Sequence, residues 1–77
     1  MNDKQKTGLD VVAGISGRPA PELTPELNLL GDLGIDSPKA LNLLLQLEEA
    51  LGIEISDEDA AKMDTVGDIL DYLGALA

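Results

Sequence analysis

Residues 31–52, GDLGIDSPKALNLLLQLEEALG, decide how the rest of the chain is read. Every local signal in this stretch is helical. Asp36 is a favoured N-cap residue, and Pro38 falls in the first turn, where a missing N–H costs nothing. Gly52 follows the last apolar residue, as a C-cap does. The spacing predicts a helix over residues 37–51. At about 100° per residue, Ala40, Leu43, Leu44, Leu47 and Leu51 share one arc, which must face a core. Leu41 and Leu45 lie well round from that arc, beside Pro38, Glu48 and Glu49. Single exposed leucines are ordinary protein surface. Two of them one turn apart with acids alongside also suit a partner surface with an apolar centre and a charged rim.

Outward from this helix, composition narrows the fold. The chain has 77 residues, room for one small domain spanning residues 1–77. A domain of this size buries only about 60% of its unfolded surface. It has no cysteine to staple it, so dense helix packing is the remaining device. Fifteen leucines stand against one tyrosine and no phenylalanine or tryptophan. Leucine favours helix, whereas strands favour β-branched and aromatic side chains. The expected fold is all-α.

Chemistry is restricted as sharply. Without His or Cys, triads, thiolate nucleophiles, His-based acid–base catalysis and zinc sites are excluded. So short a chain also has little room for an enclosed substrate pocket, so the protein is not expected to be an enzyme. The net charge is −10, and from Asp32 onward eleven acids face only Lys39 and Lys62. Such a surface repels nucleic acid and anionic membranes and attracts basic partners, unless it serves solubility alone. No apolar run reaches the ~20 residues of a membrane span, and MNDKQK lacks the apolar core of a signal peptide. A cytoplasmic location and a monomer are expected.

Residues 1–6 read as a polar, frayed start. A first helix is expected over residues 8–15, with Thr7 and Asp10 in capping-box spacing and Gly17 as its C-cap. Residues 17–36 hold Pro19, Pro21 and Pro25, which rule out one continuous helix. A loop of this length needs pins, and Leu27, Leu29, Leu30 and Leu33 are the candidates. Thr24–Pro25 could open a single helical turn. Beyond Gly52, Ile53 and Ile55 point the same way in an extended segment. Ser56 and Asp59 suit a short helix over residues 57–62. Val66, Ile69, Leu70 and Leu73 then make a clean amphipathic helix that Gly74 ends or loosens.

Ser37 opens the central helix between Asp36 and Pro38. As a plain cap it is redundant with Asp36, and as a nucleophilic catalyst it lacks a base. As a phosphorylation site it rests on a bare Ser-Pro dipeptide. Covalent attachment of a phosphate-bearing group has better physics, because a helix N-terminus offers N–H groups and a positive dipole end to an anion.

Gly34, Ile35, Asp36 and Ser37 resemble the G-x-D-S-L hallmark of the acyl carrier proteins. LEEALGIEISDEDAAKMDTVGDILDYL resembles that family's second half, and ELNLLGDLG its long pinned loop. The resemblance covers about residues 9–76. It implies a four-helix bundle with a long loop between helices 1 and 2 and a short third helix. It implies that Ser37, preceded by Asp36, receives 4′-phosphopantetheine from coenzyme A through a phosphopantetheinyl transferase. The arm's thiol then carries acyl groups as thioesters for lipid or secondary-metabolite enzymes, which dock through basic patches. Docking would run through Pro38, Leu41, Leu45, Glu48 and Glu49. An acyl chain would fold between Leu43, Leu44 and Leu47 on the second helix and Ile69, Leu70 and Leu73 on the last. Pro38 stands where the hallmark has leucine, Lys39 where an acidic or neutral residue is common, and Asn42 where many fatty-acid carriers keep a glutamate. These departures point to a specialised carrier. A peptidyl or aminoacyl carrier and a non-covalent acidic helical adaptor are the alternatives. A calcium loop does not fit, since Ala61 and Lys62 follow Asp57 and Asp59, and Gly34 follows Asp32.

Overall fold

A computed structural model describes residues 1–76. Its described part holds four α-helices and no strand: α1 (Asp3–Ser16), α2 (Ser37–Leu51), α3 (Asp57–Ala60) and α4 (Val66–Ala75). A 3-10 turn at Ala20–Glu22 interrupts the long loop between α1 and α2. The all-α bundle expected from composition is the observed architecture, and α2 has the span read from the sequence. Asp36 caps α2 by accepting from Lys39 N–H, and Gly52 closes it at φ 65°.

The start of α1 corrects the expectation of a frayed segment. The helix begins at Asp3, five residues before the expected start, because a different capping box is used. The Asn2 side chain accepts from Gln5 N–H at 2.7 Å, and Gln5 Oε1 accepts from Asn2 N–H at 2.8 Å. Gln5 Nε2 then donates to the carbonyl of Leu70 on α4 at 2.9 Å. Two satisfied backbone donors and one long-range tie hold a turn that composition alone leaves loose. Gly17, in the left-handed region at φ 75°, closes α1 as expected.

The same tie explains Gly74. It neither ends nor loosens α4, which runs on to Ala75. A Cβ there would stand 2.7 Å from Gln5 Nε2, so glycine is what lets the Gln5 side chain cross α4.

The long loop is built into the core. Leu23, Leu29, Leu33 and Ile35 supply four of the ten buried apolar side chains, alongside Val12, Leu43, Leu47, Val66, Ile69 and Leu73. Leu27 is half-buried, but Leu30 is 66% exposed and is not a pin. The turn decides this: Asp32 and Leu33 both donate backbone N–H to Asn28 O, which sends Leu29 and Leu33 inward and Leu30 outward. Thr24–Pro25 opens a single hydrogen-bonded turn, Leu27 N–H donating to Thr24 O at 3.2 Å, and no helix follows it. Residues 25–29 instead run beside the start of α4, with an isolated antiparallel bridge between Asn28 and Thr65. Gly67 N–H donates to Pro25 O and Val66 N–H to Leu27 O, each at 3.0 Å, and Leu29 N–H to Asp64 O at 2.9 Å. Loop carbonyls thereby satisfy two of the N–H groups that every helix start leaves unpaired.

Past α2, Ile53 and Ile55 are both half-buried. α3 is a single turn capped by Ser56, which accepts from Asp59 N–H at 3.1 Å. It stops at Ala60, two residues short of the expected end, and a turn through Ala61 and Lys62 leads to Met63.

Two glycines of α1 make a controlled comparison. Gly8 is buried, and a Cβ there would collide with Leu73 Cδ1 and lie 3.6 Å from Leu47 Cδ2. Gly14 has nothing within 4 Å of the corresponding position. Gly14→Ala should raise stability by roughly 0.5–1 kcal/mol, the usual helix-interior difference. Gly8→Ala has the same propensity gain but meets a fully buried leucine, and overpacking costs about 1–3 kcal/mol. Thermal melts should order the proteins Gly14→Ala, wild type, Gly8→Ala; a Gly8→Ala variant as stable as Gly14→Ala would refute the close α1–α4 approach.

Asp68 closes the capping box of α4, accepting from Asp64 N–H at 2.9 Å and Thr65 N–H at 3.1 Å. These bonds, that from Asp64 first, hold its carboxyl below the ordinary 3.8. A depressed folded-state value means that the stabilisation is complete above the unfolded value and is lost as pH falls through the folded one. Asp68→Asn should therefore lower the melting temperature by a constant amount above about pH 5. The gap to wild type should shrink below pH 4. A gap of equal size at pH 3 and pH 7 would contradict this.

Candidate attachment and docking site

Ser37 is the first residue of α2 and is exposed. Its surroundings follow from three neighbours. Asp36 Oδ1 accepts from Lys39 N–H at 3.2 Å, and the Asp36 carbonyl accepts from Ala40 N–H at 2.7 Å. Pro38 has no N–H to offer. Of the first-turn donors, only the N–H of Ser37 itself has no acceptor among the described residues. An anion at Ser37 therefore meets the dipole end of a 15-residue helix and a single free amide, fewer donors than a helix start usually offers.

Ser37 differs from the other two serines in how its hydroxyl is used. Ser16 Oγ donates to Ala13 O at 3.4 Å and accepts from Arg18 N–H at 3.3 Å. Ser56 Oγ caps α3. Among the described residues, Ser37 Oγ makes no hydrogen bond to the protein. An exposed hydroxyl without an internal role fits a group joined through its oxygen.

Along α2, Leu41 is 60% and Leu45 50% exposed, while Leu43 and Leu47 are buried, so the helical projection has the right rotation. Pro38 and Glu49 are exposed on the same strip. Glu48 is half-buried, and its Oε2 accepts from Ile55 N–H at 2.9 Å. Periodicity placed Glu48 with the exposed acids and had no means of showing that the chain turns back beneath it.

A cavity of about 40 Å³ lies at the other side of α2. Ala40, Leu43 and Leu44 of α2, Leu29 of the loop, Ala60 of α3, Met63, and Ile69 of α4 line it. Of the six expected pocket residues, Leu43, Leu44 and Ile69 are brought together there. Leu47 and Leu73 face Gly8 of α1 instead, and Leu70 is half-buried and ties its carbonyl to Gln5. The apolar arc of α4 is thus divided between two neighbours. Leu29, Ala60 and Met63 were missed because their membership depends on how the loop and α3 return to α2.

The phosphopantetheine attachment site family model matches residues 9–73. An acyl carrier protein from Syntrophobacter fumaroxidans is 46% identical over 65 residues, 84% of this chain and 80% of that one. Among solved structures, a candidate acyl carrier protein from Mycobacterium tuberculosis superposes with a TM-score of 0.84 at 28% identity, covering 96% of this chain and 99% of its own. The acyl carrier protein from Enterococcus faecalis gives 0.76 at 36% identity, covering 96% and 98%. The chain belongs to the acyl carrier proteins. It is a carrier and not an enzyme, and its cofactor is 4′-phosphopantetheine.

The two sides of α2 should separate cleanly on truncation. Leu43→Ala removes a side chain that is 2% exposed and should cost about 2–5 kcal/mol. Leu45→Ala opens no cavity and should change stability by less than about 0.5 kcal/mol. Chemical denaturation of the two variants checks this, and a strongly destabilised Leu45→Ala would mean that α2 is rotated.

Proposed function

We propose that Ser37 is the residue that carries 4′-phosphopantetheine, and that the chain delivers acyl intermediates to enzymes docked on α2. The observation that carries this reading is the Ser37 hydroxyl, exposed at the start of α2 while the other two serines are bonded to their own backbone. The bound group supplies a terminal thiol that holds an acyl group as a thioester, a thiol this cysteine-free chain lacks. Ser37 Oγ acts as the nucleophile on the pantetheine-side phosphorus of coenzyme A's diphosphate, and the phosphodiester forms as the P–O bond to the leaving adenosine 3′,5′-bisphosphate breaks. The base that takes the serine proton belongs to the transferase, since the chain has no histidine and no carboxylate accepts from this hydroxyl.

Leu41 and Leu45 form the apolar centre of the docking strip, with Pro38 at its upper end and Glu49 on its rim. A basic, partly apolar patch on the partner complements it, charge setting encounter rate and leucines setting lifetime. Asn42 is exposed and accepts from Gln46 Nε2 at 3.3 Å, which makes a neutral band beside the strip. That band, with Pro38 and Lys39, supports partners in a specialised lipid or secondary-metabolite route over housekeeping fatty-acid synthesis. The proposed carrier works as a monomer in the cytoplasm. No helix among the described residues is long and apolar enough to cross a membrane.

The cavity presents only apolar side chains, so it suits an aliphatic cargo. At about 40 Å³ it admits the end of a chain as it stands, and a longer chain must part the leucines around it. Each methylene buried returns about 0.8 kcal/mol.

Intact mass after treatment with coenzyme A and a phosphopantetheinyl transferase tests the assignment. One phosphopantetheine should be added to wild type and none to Ser37→Ala. An adduct that persists in the variant, or maps to Ser16 or Ser56, would overturn it. Loading the holo protein with an octanoyl group should shift the Leu29, Ala60 and Met63 resonances; shifts confined to the surroundings of Ser37 would leave the chain outside.

A further inference from the structure

Glu48 stands on the strip proposed for docking, yet it is half-buried and already engaged. Its carboxylate Oε2 holds Ile55 N–H at 2.9 Å, across seven residues of chain. Its backbone carbonyl accepts from Gly52 N–H and, at 3.2 Å, from Ile53 N–H. One residue thus holds three amides of the segment that leads from α2 into α3. That segment ends at Ser56, the cap of α3, and Ala60 and Met63 just beyond it wall the cavity. The Glu48 charge is also felt on α4: the Tyr72 hydroxyl is pushed up chiefly by burial and then by Asp59, with Glu48 adding to the effect. The two carbonyl bonds would form with any residue at position 48; the bond to Ile55 N–H is the one that the carboxylate supplies, and it turns the side chain away from the free surface.

We infer that Glu48 is a positioning residue for the cavity, a latch on Ile55 N–H that sets α3 against α2, and that it is not part of the charged docking rim. The cavity wall is the object of this inference, which holds for the apo protein whatever cargo is carried. The docking reading above supplies the contrast, with Glu49 as the rim acid.

Two conservative variants separate the roles. Glu48→Gln keeps the length and an acceptor oxygen but loses the charge. Glu48→Asp keeps the charge but is one methylene shorter. In apo protein, amide exchange at Ile55 should stay near wild type in Glu48→Gln and quicken roughly tenfold in Glu48→Asp, as expected for loss of one hydrogen bond. The Ala60 and Met63 methyl resonances should move in Glu48→Asp and stay in Glu48→Gln. The association rate with the transferase should fall in Glu49→Gln and be spared in Glu48→Gln. Unchanged Ile55 exchange in Glu48→Asp would overturn the latch. Faster exchange with unmoved Ala60 and Met63 methyls would overturn its hold on the cavity. A Glu48→Gln variant slowed as much as Glu49→Gln would return Glu48 to the docking rim. Failure of the Ser37 assignment would appear in the mass measurement and leave the apo readouts standing.

Discussion

The pairing of residues 25–29 with the start of α4 fixes the course of the long loop and, through it, the packing of the core. The carbonyls of Pro25 and Leu27 take the first amides of α4, and Leu29 N–H returns a bond to Asp64. A small leucine-rich chain without aromatic plates or disulfides has few ways to anchor a 20-residue connection. Here backbone polarity does it, because both the loop and the helix end bring unsatisfied groups that the other can complete. With the loop held there, Leu23, Leu29, Leu33 and Ile35 enter the core, and the chain reaches Asp36 and Ser37 from a buried residue.

That approach explains how an exposed serine can still be well placed. Ile35 is buried, and its N–H is bonded to Leu29 O at 2.8 Å. Asp36 is spent on capping α2. Ser37 is the first residue outside both obligations, on a helix that packs against α1 and the loop. With the attachment at Ser37 proposed above, the arm would start from a rigid base, and Asp36 and Pro38 would leave it one free amide and little else to bind locally.

α2 has an exposed apolar side and a cavity side, and the segment after it runs back toward the cavity. Leu41 and Leu45 face out, while Ala40, Leu43 and Leu44 line the cavity. α3 is a single turn capped by one serine, too short to be stable alone. Its place therefore depends on what holds its two ends, and on the α2 side that is Glu48.

The order of residues alone carried α2, its caps, the rotation of its apolar arc and the singular position of Ser37. Each of these rests on signals within one or two turns: a capping side chain, a proline, a glycine and a 3.6-residue period. Composition alone excluded histidine and thiolate chemistry. The packed fold settled where α1 begins, because the Gln5–Leu70 bond joins residues 65 apart in sequence. Only it turned Leu30 outward, let α4 run through Gly74, engaged Glu48 with Ile55 and divided the leucines of α4 between α1 and the cavity. Such choices depend on which surface returns to meet a side chain. Periodicity can say that a residue lies on a given face, but not what stands opposite that face.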